Sequence, residues 1–324
     1  MRAIIPVAGF GSRLRPHTYT IPKVLLNVAG KPIIGHILDK IIADGFTEAT
    51  IIVGYLGDMI REYISANYKI RVDYIDQEER KGLAHAIYLA KGTMSDEPLL
   101  IILGDTIFDV DLKPVVKGAY AAIGVKEVDD PRRFGIAEMK DGFVSRLIEK
   151  PENPTSHHAI VGLYWIRNPR LLVQCIEDLI AKDKKTKGEF QLTDALELMI
   201  QSGEKLRSFP VEGWYDCGKP ETLLATNRHL LEKQVRHHER KDVVIIPPVY
   251  IADTAKIVHS VIGPFATIAE GAIVENSIVR NSIISDGASV DETLLDGSIV
   301  GSNAIVKGGF KRINIGDSSE IDFH

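Results

Sequence analysis

In the stretch PVAGFGSRLRPHTYTIPK (6–23), Gly9 and Gly11 stand one residue apart, and Arg13, Arg15 and Lys23 follow closely. Glycines remove side chain from a turn, so backbone N–H groups can face an anion that guanidinium and ammonium groups help to hold. That chemistry suits a polyphosphate. A plain turn with glycines serving positive φ fits the same residues. A dinucleotide fingerprint needs a third glycine where Leu14 stands, and a phosphate P-loop needs a Gly-Lys-Ser/Thr ending that is absent. The loop alone leaves turn and triphosphate site open. Farther along, Asp105 in Leu103-Gly104-Asp105 ends an apolar run where an acid has no packing reason to be.

These residues need elements to hold them. AIIPV (3–7), ATIIV (49–53) and LLIIL (99–103) are continuous apolar runs, expected of strands covered on both faces. Between them Ile34, Ile37, Leu38, Ile41 and Ile42 share one helical face. Leu56, Met59, Ile60, Tyr63 and Ile64 share a second, and Leu83, Ala86, Ile87 and Ala90 a third. Strand–helix alternation predicts an α/β, Rossmann-like, mostly parallel sheet with helices on both sides. Ligands of such sheets lie beyond the carboxyl ends of the strands, the edge that carries both the glycine loop and Gly104-Asp105. GIAEMKDGFVSRLIEK (135–150) reads as a hairpin around Asp141-Gly142.

The totals narrow the class. A chain of 324 residues, 45% hydrophobic and 26% charged, has enough apolar sequence for a sizeable core and suggests two domains, or one large domain with an appendage. A net charge of -5 argues against general nucleic-acid binding. Two cysteines without metal spacing, Cys175 and Cys217, favour a reduced, cytoplasmic setting. No leader pattern opens the chain, and no run is long enough to span a membrane. His157, His158, His237 and His238 lie in polar segments and read as solvated, as do Lys182, Lys184, Lys185 and Lys187.

After Ile246-Pro247-Pro248 the pattern changes to aliphatic residues every six positions: Ile251/Ile257, Ile262/Ile268/Val274, Ile278/Ile284/Val290 and Val300/Val306. Small residues, Ala255, Ala266, Ala272, Ser282, Ala288 and Ala304, follow at the corners. Such a period fits neither a helix nor a hairpin sheet. It fits a small left-handed parallel β-helix of three to four coils with irregular joints, the hexapeptide-repeat architecture. The domain reading is therefore 1–235 for the first domain, 236–247 for a charged linker and 248–324 for the β-helix.

Several segments, in order, resemble the sugar-1-phosphate nucleotidylyltransferases, whose pattern runs Gly-Gly-x-Gly-Thr-Arg-Leu, then Pro, then Pro-Lys. The matches are PVAGFGSRL…IPK, Gln77 before GLAHA (82–86), LGD (103–105), RFG (133–135), EKP (149–151), AIVGLY (159–164), KGEFQLTD (187–194) and WYDCG (214–218). The resemblance covers the first domain, and longer members carry hexapeptide tails. It implies an attack by a hexose 1-phosphate on the α-phosphorus of a nucleoside triphosphate, releasing pyrophosphate. Positioning and charge neutralisation suffice for such a step.

The resemblance also implies roles. Arg13 and Lys23 would be catalytic, on the departing pyrophosphate and the α-phosphate. Ala8, Gly9, Gly11, Gln77 and Gly82 would bind the nucleotide, although Ala8 replaces a glycine common in the family. Asp105 and Asp216 would hold Mg²⁺. Gly135, Glu149, Lys150, Ile160, Gly162 and Trp214 would bind the sugar phosphate. Glu189 lies in a family motif without an assigned role. A pyrimidine triphosphate, UTP or dTTP, and glucose 1-phosphate are the implied substrates. GTP with mannose 1-phosphate, a non-catalytic regulatory relative, and a hexapeptide acyltransferase, for which the short coil offers His259 alone before the terminus, are the alternatives. The open end of the coil and its flat sides predict a homo-oligomer.

Overall fold

The computed structural model describes residues 1–234 and 240–308, so His237 and His238 lie outside the described residues. It divides into two compact units, one of Met1–Leu26 with Lys31–Thr226, the other of Asn27–Gly30 with the chain from Asn227 onward.

The first unit is built on a nine-stranded sheet. Its parallel half orders Leu99–Ile102, Arg2–Pro6, Glu48–Val53 and Arg71–Asp76; the first three are the strands that the apolar runs predict, and the fourth, an edge strand of mixed polarity, is not among them. Helices Ile33–Ala43, Gly57–Asn67 and Leu83–Leu89 connect or follow these strands. Ile34, Ile37, Leu38 and Ile41 are buried, but Ile42 and Met59, expected on core faces, are exposed at the margins of their stripes. The later half is largely antiparallel, with edge strand Leu206–Pro210 lying parallel to Ala121–Glu127. Strand His158–Ile166 runs against Leu99–Ile102 and Ala121–Glu127, and the predicted hairpin pairs Gly135–Lys140 with Phe143–Glu149. The sheet is thus mixed, because a hairpin reverses the chain where a helical crossover would have kept it parallel.

Two details of this sheet set the site. Strand His158–Ile166 bulges between Ile160 and Tyr164, with Gly162 at φ 84°. Its carbonyl accepts from the Leu103 N–H (3.0 Å), which leads directly into Gly104-Asp105. A separate two-stranded ribbon pairs Thr106–Asp109 with Gly213–Asp216, antiparallel, setting Asp216 opposite Thr106. The Cys217 N–H then donates to the Asp105 carbonyl (2.9 Å). Two acids separated by more than a hundred residues in sequence are brought together by that register.

The second unit is a three-faced parallel β-helix, each face a four-stranded sheet. Ile251, Ile268, Ile284 and Val300 stack in one register, so successive coils advance by 17, 16 and 16 residues. Some sides therefore take five residues instead of six. Val279 points inward and is fully buried, whereas Ile278, expected inside from the period of six, faces out. Corner hydroxyls form ladders: Ser260 Oγ accepts from the Ser277 N–H (3.1 Å), and Ser277 Oγ from the Thr293 N–H (3.1 Å). The first strand of the coil, Val243–Ile245, falls within the stretch read as a linker. The separation into units also comes earlier than the expected boundary, at Asn227.

Candidate active site

The glycine loop leaves the first strand at its carboxyl end. Gly11 adopts φ 60°, and a Cβ there would come within 2.9 Å of Lys23 Cβ and 3.0 Å of Thr18 Cγ2. Thr18 Oγ1 donates to the Gly11 carbonyl (2.9 Å), fixing the turn. Only glycine lets the loop pass that close to Lys23. At Gly9 no protein atom lies within 4 Å of where a Cβ would stand, so the missing side chain leaves open space beside the loop. Ala8 is buried, and its methyl rests against Gly54, where a Cβ would be 3.0 Å away. The alanine is accommodated because a glycine faces it.

A cavity of about 380 Å³ opens at this edge. Ala8, Gly9, Gly11, Gln77 and Gly82 line it with Arg13, Lys23 and Asp105. All five expected nucleotide-binding residues, both expected cations and one expected metal ligand therefore share one hollow. Gln77 is 7% exposed, and its side-chain amide has no hydrogen-bond partner among the described residues. An amide without protein partners on a cavity wall has its donor and acceptor available to a ligand.

Lys23 Nζ donates to Asp105 Oδ2 at 2.6 Å, with the lysine side chain 10% exposed. Burial pushes the Asp105 carboxyl up, but the Lys23 ammonium, by charge and hydrogen bond, outweighs it and leaves the acid below its ordinary range. Asp216 moves the other way. Burial and the neighbouring Asp105 charge raise it, and Lys23 and Arg13 compensate only in part. Gly218 sits between Arg13 and Asp216, since a Cβ there would be 2.7 Å from both Arg13 Nη2 and Asp216 Oδ1.

Arg13 also lines a second, open groove of about 630 Å³ with Arg132, Arg133, Lys150, Glu152 and Lys187. Lys150, at φ 43°, lies 3.2 Å from Glu149 Oε1, while Glu149 Oε2 accepts from Thr193 Oγ1 (2.7 Å). Gly135 and Ile160 pack around that carboxylate: a methyl on Gly135 would lie within about 3 Å of both Glu149 Oε2 and Ile160 Cδ1. Of the residues expected at the sugar phosphate, Lys150 lines the groove, and Glu149, Gly135 and Ile160 form the cluster beside it. Gly162 is set back against Leu103, where its lack of Cβ serves the bulge. Trp214 packs its ring edge on Phe134 (centroids 4.9 Å apart), buttressing the strand that carries Asp216.

Sequence reasoning missed Arg80 and Arg132, gave no role to Arg133 of the RFG motif and took Lys187 for a solvated charge, yet all four line the two cavities. It left Glu189 unassigned, and this residue lines the first cavity. The neighbouring Phe190 clasps the Gly82 loop through Phe190 N–H to the Lys81 carbonyl (2.8 Å) and Ala84 N–H to the Phe190 carbonyl (3.0 Å). The signal for Arg80 was its place between Gln77 and Gly82, two residues already singled out.

Comparison with known proteins matches residues 2–233 to the family model described as nucleotidyl transferase. AglF of Haloferax volcanii, a UTP–glucose-1-phosphate uridylyltransferase, is 34% identical over 249 residues, covering 74% of this chain and 100% of that protein. A glucose-1-phosphate thymidylyltransferase of Streptomyces griseus is 30% identical over 305 residues, 85% of this chain and 84% of its own. A solved UDP-glucose pyrophosphorylase complexed with UDP-glucose matches in fold, with a TM-score of 0.63 at 24% identity over 72% of this chain and 99% of that one. The chain spans 55–66% of the length of several other curated relatives, bifunctional GlmU proteins among them.

Proposed function

Because the chain belongs to the nucleotidyl transferase family, we propose that it transfers a nucleoside monophosphate from a pyrimidine triphosphate, UTP or dTTP, to glucose 1-phosphate, releasing pyrophosphate. The observation that carries this reading is the position of Arg13, which lines both the first cavity and the basic groove. Two polyanions bound in adjoining spaces would meet at that guanidinium. The triphosphate would occupy the first cavity, with Gln77 meeting a pyrimidine edge. The sugar phosphate would lie in the groove on Lys150, with Glu149 accepting a sugar hydroxyl.

In the transfer itself, a phosphate oxygen of the sugar phosphate bonds to the α-phosphorus as the bond to the β-phosphate oxygen breaks. Lys23 offsets charge on the α-phosphate and Arg13 on the leaving pyrophosphate. No covalent enzyme intermediate is required. The residues fit a bound Mg²⁺: Asp105 and Asp216 are hard oxygen donors, and burial together with the neighbouring Asp105 charge pushes Asp216 up. Among the described residues no group of three or more His, Cys, Asp or Glu gathers, so substrate oxygens and water would complete the shell. When bound, such an ion relieves repulsion between the two reacting anions.

The relatives named for UTP and dTTP support the choice of base and sugar. The test is a matrix of the common nucleoside triphosphates against hexose 1-phosphates, with pyrophosphate release measured with and without Mg²⁺. Turnover with UTP or dTTP and glucose 1-phosphate is expected. A preference for GTP with mannose 1-phosphate would overturn the substrate assignment, and acyl transfer from acetyl-CoA alone would overturn the reaction class.

A cytoplasmic setting agrees with Cys175 and Cys217, both free and buried. No helix among the described residues is long and apolar enough to cross a membrane. The β-helix would serve assembly into a homo-oligomer. Val244, Val261, Ile278 and Leu294 stack in register down one of its faces, and Leu294 is 61% exposed. Light scattering at micromolar concentration should give a multiple of the chain mass, reduced by Leu294→Lys together with Ile278→Lys. A monomeric wild type would refute assembly.

A further inference from the structure

Arg80 has a position that neither its sequence neighbours nor the reaction scheme accounts for. It lines the first cavity together with Arg13 and Lys23. Its Nε donates to the Ala8 carbonyl at 2.8 Å, at the start of the glycine loop. Its guanidinium carbon lies 3.1 Å from the centroid of the Phe10 ring, and Phe10 in turn tilts against Tyr55 with ring centroids 6.4 Å apart. Both rings are more than half exposed. The Arg80–Phe10–Tyr55 stack therefore joins three loops at the carboxyl edge of the parallel strands.

The charge of Arg80 has no counterion among the described residues. Arg2, Arg61, Arg132, Arg170 and Arg280 all pair with carboxylates. Next to Arg80, Glu79 pairs with Lys81 instead. Within the cavity Lys23 is already committed to Asp105. Partial burial pushes the Arg80 guanidinium down from its ordinary value, a cost that an anion beside it would remove. Arginine carries five N–H donors. One is used on Ala8, and the outer ones are without a protein acceptor on a wall that faces the cavity.

We propose that Arg80 is a third cationic ligand of the nucleotide's polyphosphate and, through Ala8 and Phe10, the latch that holds the glycine loop around it. The inference rests on the proposed reaction and adds to it a residue specific to the pyrophosphate-bearing substrate. The sugar phosphate, bound in the other groove, does not touch Arg80. In the reverse direction the same contact serves inorganic pyrophosphate. The stack also makes loop closure depend on Phe10, whose ring supplies the face on which the guanidinium lies.

The experiment uses the full chain with Mg²⁺. Calorimetric titrations of wild type, Arg80→Met and Arg80→Lys are run with UTP, with dTTP and separately with inorganic pyrophosphate. KM for triphosphate and for glucose 1-phosphate is measured alongside. Methionine keeps the apolar stem but loses the charge and donors. Charge-assisted hydrogen bonds of this kind are worth about tenfold or more in affinity. Arg80→Met is expected to weaken triphosphate and pyrophosphate by about that factor, with the sugar-phosphate KM changed by less than about twofold. Arg80→Lys should recover part of the pyrophosphate affinity because it restores the positive charge.

Equal affinities for wild type and Arg80→Met would overturn the proposal. So would a loss felt equally by glucose 1-phosphate. Identical behaviour of the lysine and methionine variants would reduce Arg80 to a structural latch, since both lose the Nε bond and the planar stack, and would also overturn it. A wild type that binds no triphosphate and no pyrophosphate would instead sink the reaction itself. Thermal melts matched to wild type establish that each variant is folded, and Arg80→Lys carries the test if Arg80→Met is not.

Discussion

Exchanging Asp216 for asparagine is expected to make the protein more stable while removing most of its activity. Asp216 is held beside Asp105 by the pairing of Gly213–Asp216 with Thr106–Asp109. Burial and that neighbouring charge raise its carboxyl above the ordinary value. A folded-state acid with a raised pKa binds its proton more tightly than the unfolded chain does. Ionising it therefore costs stability, a cost that builds up as pH rises from the unfolded toward the folded value. Asparagine keeps the shape and removes the charge. The Tm of Asp216→Asn should exceed that of wild type at neutral pH, and the gain should vanish as pH falls below the unfolded carboxyl range.

Asp105→Asn should do the opposite. Lys23 holds that carboxyl below its ordinary value, so its stabilising contribution is present above the unfolded pKa and lost as pH falls. Its removal strands a lysine only 10% exposed, and Tm should drop at neutral pH. Both variants should lose about 100-fold or more in kcat, because charge stabilisation by a metal site is worth several kcal/mol and about 1.4 kcal/mol is tenfold in rate. A destabilised Asp216→Asn, or one that keeps wild-type turnover, would show that Asp216 is a structural acid.

The second large effect is at Gly82. Its φ of 112° with ψ 175° lies in a region that is essentially glycine-only. A methyl there would overlap the Phe190 carbonyl oxygen and lie 2.7 Å from the Phe190 nitrogen. Neither atom can retreat, because both are tied by hydrogen bonds to Ala84 and Lys81 on either side of Gly82. Gly82→Ala should cost about 2–4 kcal/mol of stability, combining backbone strain with the clash. Its triphosphate KM should also rise, since Gln77 and Arg80 belong to the same loop. Gly9→Ala is the control. Open space at that position predicts unchanged stability, with any effect confined to nucleotide binding. Chemical denaturation measures both, and a change below about 0.5 kcal/mol for Gly82→Ala, the range of ordinary surface substitutions, would contradict the packing account.

What could be read from the sequence had a local cause. The apolar runs at 3–7, 49–53 and 99–103 become the adjacent parallel strands they predict, because burial on both faces leaves a continuous pattern. The ordered motifs carried the cavity wall, since Gly11, Gly82 and Gly104 all occupy places where a side chain would strike a neighbour. What could not be read depended on register. Nothing in residues 278–279 tells whether a coil side spans six residues or five, yet that decides which of Ile278 and Val279 is buried. Pairing within the separate two-stranded ribbon brings Asp105 and Asp216 together, and only the motif resemblance joined them beforehand. Arg80 belonged to no motif, and its aromatic partner lies seventy residues earlier in the chain.

The central claim is that two phosphate-bearing reactants exchange one phosphoanhydride around Arg13, Lys23 and the two acids. Label tracing tests it most directly. With UTP or dTTP labelled either at the α- or at the γ-phosphate, and with glucose 1-phosphate and Mg²⁺ present, the α-label should pass into a nucleotide sugar and the γ-label into pyrophosphate. Neither product should form when the sugar phosphate is omitted. Release of α-label as nucleoside monophosphate without sugar phosphate, or no transfer of label from any triphosphate, would contradict the account.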